Sequence, residues 1–173
     1  MSPRFRKTPG GWYVADTAVV TADVRIGEDV SIWFGTVIRG DVAPITIGPR
    51  TNVQDQAMIH CDSGFPNEIG SDVTIGHGAI VHGVSVGDGA LIGMGARLLG
   101  ESRVGAGALV AAGCVVPPRM VVPKRTLVAG VPAKVVRELT EQDMDYMRRL
   151  PPHYVRLARS YAEGAIEQGG RPL

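Results

Sequence analysis

Small aliphatic residues recur along this chain at intervals of six. Val14, Val20, Ile26, Ile32 and Ile38 form a first series, Val53 and Ile59 resume it, and Ile69, Ile75 and Val81 follow. After one shorter step, Val86, Ile92, Leu98, Val104, Val110, Val116, Val122 and Val128 continue without a slip. Glycine comes directly after the aliphatic at Ile26, Ile47, Ile69, Ile75, Val86, Ile92 and Val104. No helix has a period of six, and plain strand alternation does not require one. A fixed short period is the mark of a solenoid. The pattern predicts an all-β stack of short strands, each followed by a corner, with the aliphatic pointing inward. Six residues per side and three sides per turn give about 18 residues per coil and roughly six coils.

The regular series stops near Val128, where AGVPAKVVREL carries the chain out of the stack. This predicts a solenoid domain over 1–135 and a helical tail over 136–173 packed on it. Thr140 with Asp143 has the form of a capping box. It should open a short helix over 140–150, which Pro151-Pro152 should break. A second helix is expected from His153 to about Gln168, with Tyr154, Leu157, Ala158, Tyr161 and Ala165 on one face. The last five residues should fray. Two stretches, 40–46 and 62–68, interrupt the repeat by about three and about four residues, and loops on a rigid scaffold often carry function.

Composition narrows the class. The 173 residues carry a formal net charge of +1, which implies no nucleic-acid or acidic-surface partner. Glycine is abundant at 23 residues and aromatics are scarce at 5%, as suits a regular architecture with many tight corners. Cys61 and Cys114 are the only cysteines, so a disulfide framework is not expected. The opening MSPRFRKTPGG lacks the apolar stretch of a signal peptide, and no apolar run approaches the roughly 18 residues that span a membrane. The expectation is a cytoplasmic protein without a membrane partner.

Candidate chemistry lies in the histidines. Three of the four, His60, His77 and His82, fall within 23 residues. Three imidazoles suit a catalytic zinc, because they leave the fourth tetrahedral position open. The repeat decides which of them can meet. His60 follows Ile59 by one and His82 follows Val81 by one, and the steps 59, 69, 75, 81 make one coil. The two should therefore stack about 4.8 Å apart. Arg39, one past Ile38, belongs to the same column a layer below. His77 follows Ile75 by two and sits a whole side earlier, roughly 15–20 Å away along six extended residues. Gln54, one past Val53, lies a layer below His77. An ion binds imidazole nitrogen at about 2.0–2.1 Å. His77 therefore cannot share one with His60 and His82 of its own chain, but it can meet them across a subunit boundary. Three prisms packed in a ring make that contact three times, which predicts a homotrimer.

At these residues the chain resembles the γ-class carbonic anhydrases, through IRGD (38–41), NVQDQAMIH (52–60) and GHGAIVHG (76–83). The repeat and the GVPAKVVREL exit match as well, so the resemblance covers roughly residues 10–165. It implies a left-handed parallel β-helix of hexapeptide repeats and a trimer with a metal at each subunit interface. The metal would be zinc, or iron or cobalt, held by His60, His77 and His82. Its substrates would be carbon dioxide and bicarbonate. It also implies that Arg39, Asp41, Asn52 and Gln54 surround the metal and hold bicarbonate, with Asp55 pairing with the arginine. Tyr154 stands where a shorter subgroup brings a tyrosine to the metal. The founding members carry proton-shuttling glutamates; here one place is Val42 and the other is the shortened CDSG segment at 61–64. The chain therefore resembles the shuttle-poor subgroup, whose members are often weak hydratases.

Each signal also has a plainer reading. Arg39 and Asp41 can form a structural ion pair, Gln54 can cap a backbone edge, and Tyr154 can be a packing aromatic. Cys61 beside His60 invites a metal–thiolate reading that three imidazoles make superfluous. Trp33 and Phe34 are expected at a subunit contact. Rival functions are a metal-dependent acyl-CoA thioesterase, a hexapeptide acyltransferase with a single catalytic histidine, and a trimeric scaffold without catalysis.

Overall fold

The inward aliphatics make the core. Ile32, Ile38, Val53, Ile59, Ile75, Val81, Ile92, Leu98, Val110, Val116, Val122 and Val128 are wholly buried in one continuous cluster. Val20 and Ile26, in the first coil, are only partly buried because that coil ends the stack. The computed structural model describes residues 5–166. The chain winds as a left-handed parallel β-helix of about six turns, followed by one C-terminal helix.

One face stacks Tyr13–Ala15, Ser31–Ile32, Asn52–Val53, Thr74–Ile75, Leu91–Ile92, Leu109–Val110 and Thr126–Ala129. At its ends Phe5–Lys7 and Lys134–Glu138 pair antiparallel, closing the edges of the sheet. The second face carries Met58–Ile59, Ile80–Val81, Arg97–Leu98 and Val115–Val116, and the third carries Asn67–Ile69, Ser85–Val86, Arg103–Val104 and Val121–Val122. Two glycine uses explain the repeat. At Gly93 a Cβ would lie 2.5 Å from the backbone nitrogen of Ala112, so the coil above leaves no room for a side chain. At Gly78 the corner demands φ +66°, which glycine adopts without strain.

The interruption at 40–46 is not a loop. Val37–Ile47 is one strand that crosses from the second face to the third. It pairs with Val19–Ile26, and residues 41–44 are accommodated in an irregularity opposite Asp23. Gly40 permits this, since a Cβ there would lie 2.4 Å from the Asp23 carbonyl oxygen. The second interruption turns at 63–64 before Asn67–Ile69 resumes the ladder.

The expected pair of helices is a single helix, Glu141–Ala162, with Pro151 and Pro152 inside it. The two prolines remove two backbone donors. Packing maintains the helix regardless: Met147, Pro151 and Ala158 are buried, and Tyr154, Leu157, Tyr161 and Ala162 pack on a second cluster of Phe5, Tyr13, Ala15 and Trp33. Trp33 is therefore covered by its own chain's helix instead of standing ready for a subunit contact, and Phe34 packs with it. Thr140 and Asp143 do form the capping box. The frayed residues expected at the very end lie outside the described residues. No helix among the described residues is long and apolar enough to cross a membrane.

Candidate functional site

The corner between the second and third faces carries the first group. The register sets Ile38 beside Ile59 and Ile59 beside Val81. Arg39, His60 and His82, each one residue past its aliphatic, therefore rise in a single column. His60 Nδ1 lies 3.2 Å from His82 Nε2, and the ring centroids are 5.2 Å apart. His60 Nε2 lies 3.1 Å from Asp41 Oδ1, while Arg39 donates to the other Asp41 oxygen and forms an ion pair with it. Desolvation alone would raise the Asp41 pKa. The hydrogen bonds from Arg39 and His60 outweigh it and hold the carboxyl below its ordinary range.

Asp62, which the motifs do not single out, joins this group. Its Oδ2 lies 3.6 Å from His82 Nδ1, at ion-pair distance. The signal that pointed to it was slight: an aspartate two residues after His60, at the start of the inserted stretch. Cys61 turns the other way. It is buried in the core and donates its S–H to the Ala43 carbonyl at 3.2 Å, and burial pushes its thiol pKa up. Neither feature suits a thiolate ligand.

The second group lies at the corner between the first and second faces. His77 Nδ1 is 2.8 Å from Asp55 Oδ2, and the other Asp55 oxygen accepts the Phe34 amide at 3.2 Å. Within one chain Asp55 thus pairs with His77, not with the arginine that the resemblance implied. Gln54 is buried, and both the oxygen and the nitrogen of its amide are bonded. Its Oε1 accepts the His77 backbone N–H at 3.2 Å, and its Nε2 donates to Asn52 Oδ1 at 3.0 Å. Asn52 in turn donates to Thr74 Oγ1 at 2.9 Å. This chain of amides fixes the backbone that presents His77. Tyr154, on the helix, meets Trp33 edge-on at 5.6 Å and is half-buried. Burial chiefly, with the negative charge of Asp55 adding to it, pushes its phenol pKa up. Tyr154 and Gln54 line a largely apolar pocket of about 340 Å³ together with Leu91, Met94, Leu109 and Leu150.

One chain therefore brings together His60 with His82, and His77 with Asp55, but does not bring the two groups together. Among the described residues, no group of three His, Cys, Asp or Glu side chains in a single chain is placed to hold one metal ion. A common feature joins the groups. Each of the three histidines has a carboxylate beside one ring nitrogen: Asp41 for His60, Asp62 for His82 and Asp55 for His77. The nitrogens away from the carboxylates are His60 Nδ1 and His82 Nε2, which face each other, and His77 Nε2. Carboxylate on one nitrogen and metal on the other is the usual disposition of metal-binding histidine.

Comparison with known proteins places the chain among relatives. Residues 66–99 match the family described as hexapeptide repeat of succinyl-transferase. The chain is 48% identical over 162 residues to a carbonic anhydrase of Geobacillus kaustophilus, covering 92% of this chain and 89% of that one. It is 42% identical over 156 residues to a mitochondrial gamma carbonic anhydrase of Arabidopsis thaliana, covering 87% of this chain and 56% of the plant protein. Among solved structures, a Bacillus cereus protein described as a candidate acetyltransferase superposes with a TM-score of 0.86 at 44% identity, over 88% of this chain and 89% of that one. With the hexapeptide coil, the ordered Arg, Gln and His positions and these identities over most of its length, the chain belongs to the γ-class carbonic anhydrase family.

Proposed function

We propose that the protein is a metal-dependent hydratase that interconverts carbon dioxide and bicarbonate. His60 and His82 of one subunit and His77 of the next would hold a zinc ion in a cytoplasmic homotrimer. The observation that carries this reading is the facing pair of imidazole nitrogens, 3.2 Å apart. Two nitrogens bound at about 2.0–2.1 Å to a tetrahedral zinc stand about 3.3 Å from each other. The pair is thus spaced for two legs of such a site. The same distance would also suit a simple N–H···N bond between the rings. The carboxylate beside each outer nitrogen favours the metal.

When bound, zinc supplies water activation near neutral pH, the effect known from carbonic anhydrases of another class. The chain's own residues do the rest. Asp41 holds the His60 ring so that Nδ1 faces His82, and Asp55 holds the His77 ring by Nδ1, which leaves Nε2 as its ligand nitrogen. Arg39 keeps Asp41 ionised and has further guanidinium donors to orient a planar bicarbonate. Gln54 acts on the site through the His77 backbone. With Val42 and the short segment after His60 in place of shuttle carboxylates, protons must leave through water or buffer, so turnover should be slow and accelerated by added imidazole.

The test is elemental analysis of protein purified without oxygen, with hydration assays in parallel. About one ion per chain is expected in the wild type and a loss of it in His60→Ala and His82→Ala. Full metal occupancy in either variant would sink the reading. A second reading, acyl transfer or acyl-thioester hydrolysis, draws on the apolar pocket beside Gln54 and Tyr154 and on the fold shared with the Bacillus cereus protein. Turnover of acyl-CoA without turnover of carbon dioxide would favour it.

A further inference from the structure

Behind the two stacked histidines lies an amide that the foregoing chemistry does not use. Asn67 opens the strand Asn67–Ile69 and is wholly buried. Its Nδ2 donates to the His60 carbonyl at 3.1 Å and to the Val81 carbonyl at 3.3 Å. The first of these carbonyls belongs to the peptide that leaves His60, and the second to the peptide that enters His82. One side chain thus joins the two peptide planes that flank the histidine pair on adjacent coils. The backbone ladder joins the same coils by His60 N–H to the Val81 carbonyl at 3.2 Å. Above, His82 N–H donates to the Leu98 carbonyl at 3.0 Å. Gly83 packs so closely on the next coil that a Cβ would lie 2.7 Å from the Ser102 carbonyl oxygen. The backbone at His82 is therefore pinned from both sides.

The other end of the amide indicates why asparagine stands here. Asn67 Oδ1 is buried without a hydrogen-bond partner. A leucine of similar size would fill the space but would offer the His60 and Val81 carbonyls no donor, so filling the core does not explain the residue. The orientation of the amide follows from its bonds, since turning it over would set its oxygen against two carbonyl oxygens. The two donated bonds are what the residue provides.

We propose that Asn67 is a positioning residue for the metal: by clamping the His60 and Val81 carbonyls, it sets the spacing and angle of the His60 and His82 rings. The proposal rests on the metal reading given above. It assigns Asn67 no contact with metal or substrate. Partners that orient metal ligands in this indirect way typically change affinity by about ten- to hundredfold when removed.

Cobalt(II) titration of the metal-free assembled protein tests it, with affinity and the visible absorption bands of the ion as the two readouts. Asn67→Leu should bind cobalt at least about tenfold more weakly, with displaced bands and an unchanged assembly size. Asn67→Ser, which keeps one donor, should fall between Asn67→Leu and the wild type. His82→Ala should show no bands. A purely structural asparagine would lower the melting temperature of Asn67→Leu while leaving affinity and spectrum as in the wild type. That result overturns the proposal and leaves the metal reading standing. Should Asn67→Leu fail to fold, Asn67→Ser carries the same two readouts, and wild-type values for both overturn the proposal. Wild-type protein that takes up no cobalt overturns the proposal and the metal reading together.

Discussion

Asp41 stands where desolvation and pairing oppose each other. Partial desolvation would favour its neutral form, yet the Arg39 and His60 hydrogen bonds keep it ionised although its side chain is exposed. Because its folded pKa lies below the ordinary value of 3.8, its support of the corner is complete above that value. The support disappears as pH falls through the lowered folded value. Removing the charge at neutral pH should act on the histidine it orients. Asp41→Asn is expected to weaken zinc binding about ten- to hundredfold, measured by competition with a chelator. An affinity equal to that of the wild type would show the Arg39–Asp41 pair to be structural only. Cys61, one residue from His60, marks the opposite case, because the alternation of sides that continues past Met58–Ile59 turns it into the core.

At the scale of elements, the C-terminal helix depends on its start and on its packing more than on its own propensity. The Thr140–Asp143 capping box satisfies backbone donors at the N-terminus, and Arg137 binds the same Asp143 carboxylate. Thr140→Ala should cost about 1 kcal/mol of stability, read from chemical denaturation. The Arg137 guanidinium first, and the Thr140 hydroxyl and backbone N–H after it, hold Asp143 far below the ordinary value of 3.8. Its contribution is therefore fully present above that value and lost as pH falls through the folded one. Asp143→Asn should lack this acid-dependent part, so its melting temperature should approach that of the wild type as the medium is acidified. A constant gap between the two at all pH values would contradict the assignment. In the coil, Ile92→Ala removes a wholly buried side chain between neighbouring coils and should cost about 2–5 kcal/mol.

At the scale of the molecule, the proposed site divides between chains, and that division can be tested by complementation. His77→Ala and His82→Ala should each be metal-poor and inactive alone. A His77→Ala chain still offers the His60–His82 pair, and a His82→Ala chain still offers His77. Unfolding the two together and refolding them should restore part of the metal binding and activity. A refolded mixture as metal-poor as its components, in which size analysis shows that mixed assemblies formed, would refute the shared site.

The periodicity of six determined the coil, the inward aliphatics and the stacking of Arg39, His60 and His82. In a parallel ladder the register propagates from coil to coil, so counting along the chain equals counting through space. The same counting separated His77 from the pair, but the register sets Asp55, two past Val53 as His77 is two past Ile75, beneath His77, and Gln54 lies beneath Gly76. Groups whose meeting depends on irregular segments could not be counted in this way. The residues 41–44 are absorbed opposite Asp23 within a strand, and only that threading brings Asp41 to His60. Asp62 and Asn67 belong to the second interruption, so their approach to His82 and to the two carbonyls has no periodic signature. The helix shows the same limit from the other direction. Pro151-Pro152 reads locally as a break, yet burial of Met147, Pro151 and Ala158 along the coil carries the helix through. That helix then covers Trp33, a residue more than a hundred positions earlier in the chain. Local register is written in the order of residues, whereas these contacts depend on packing between segments that the order of residues leaves far apart.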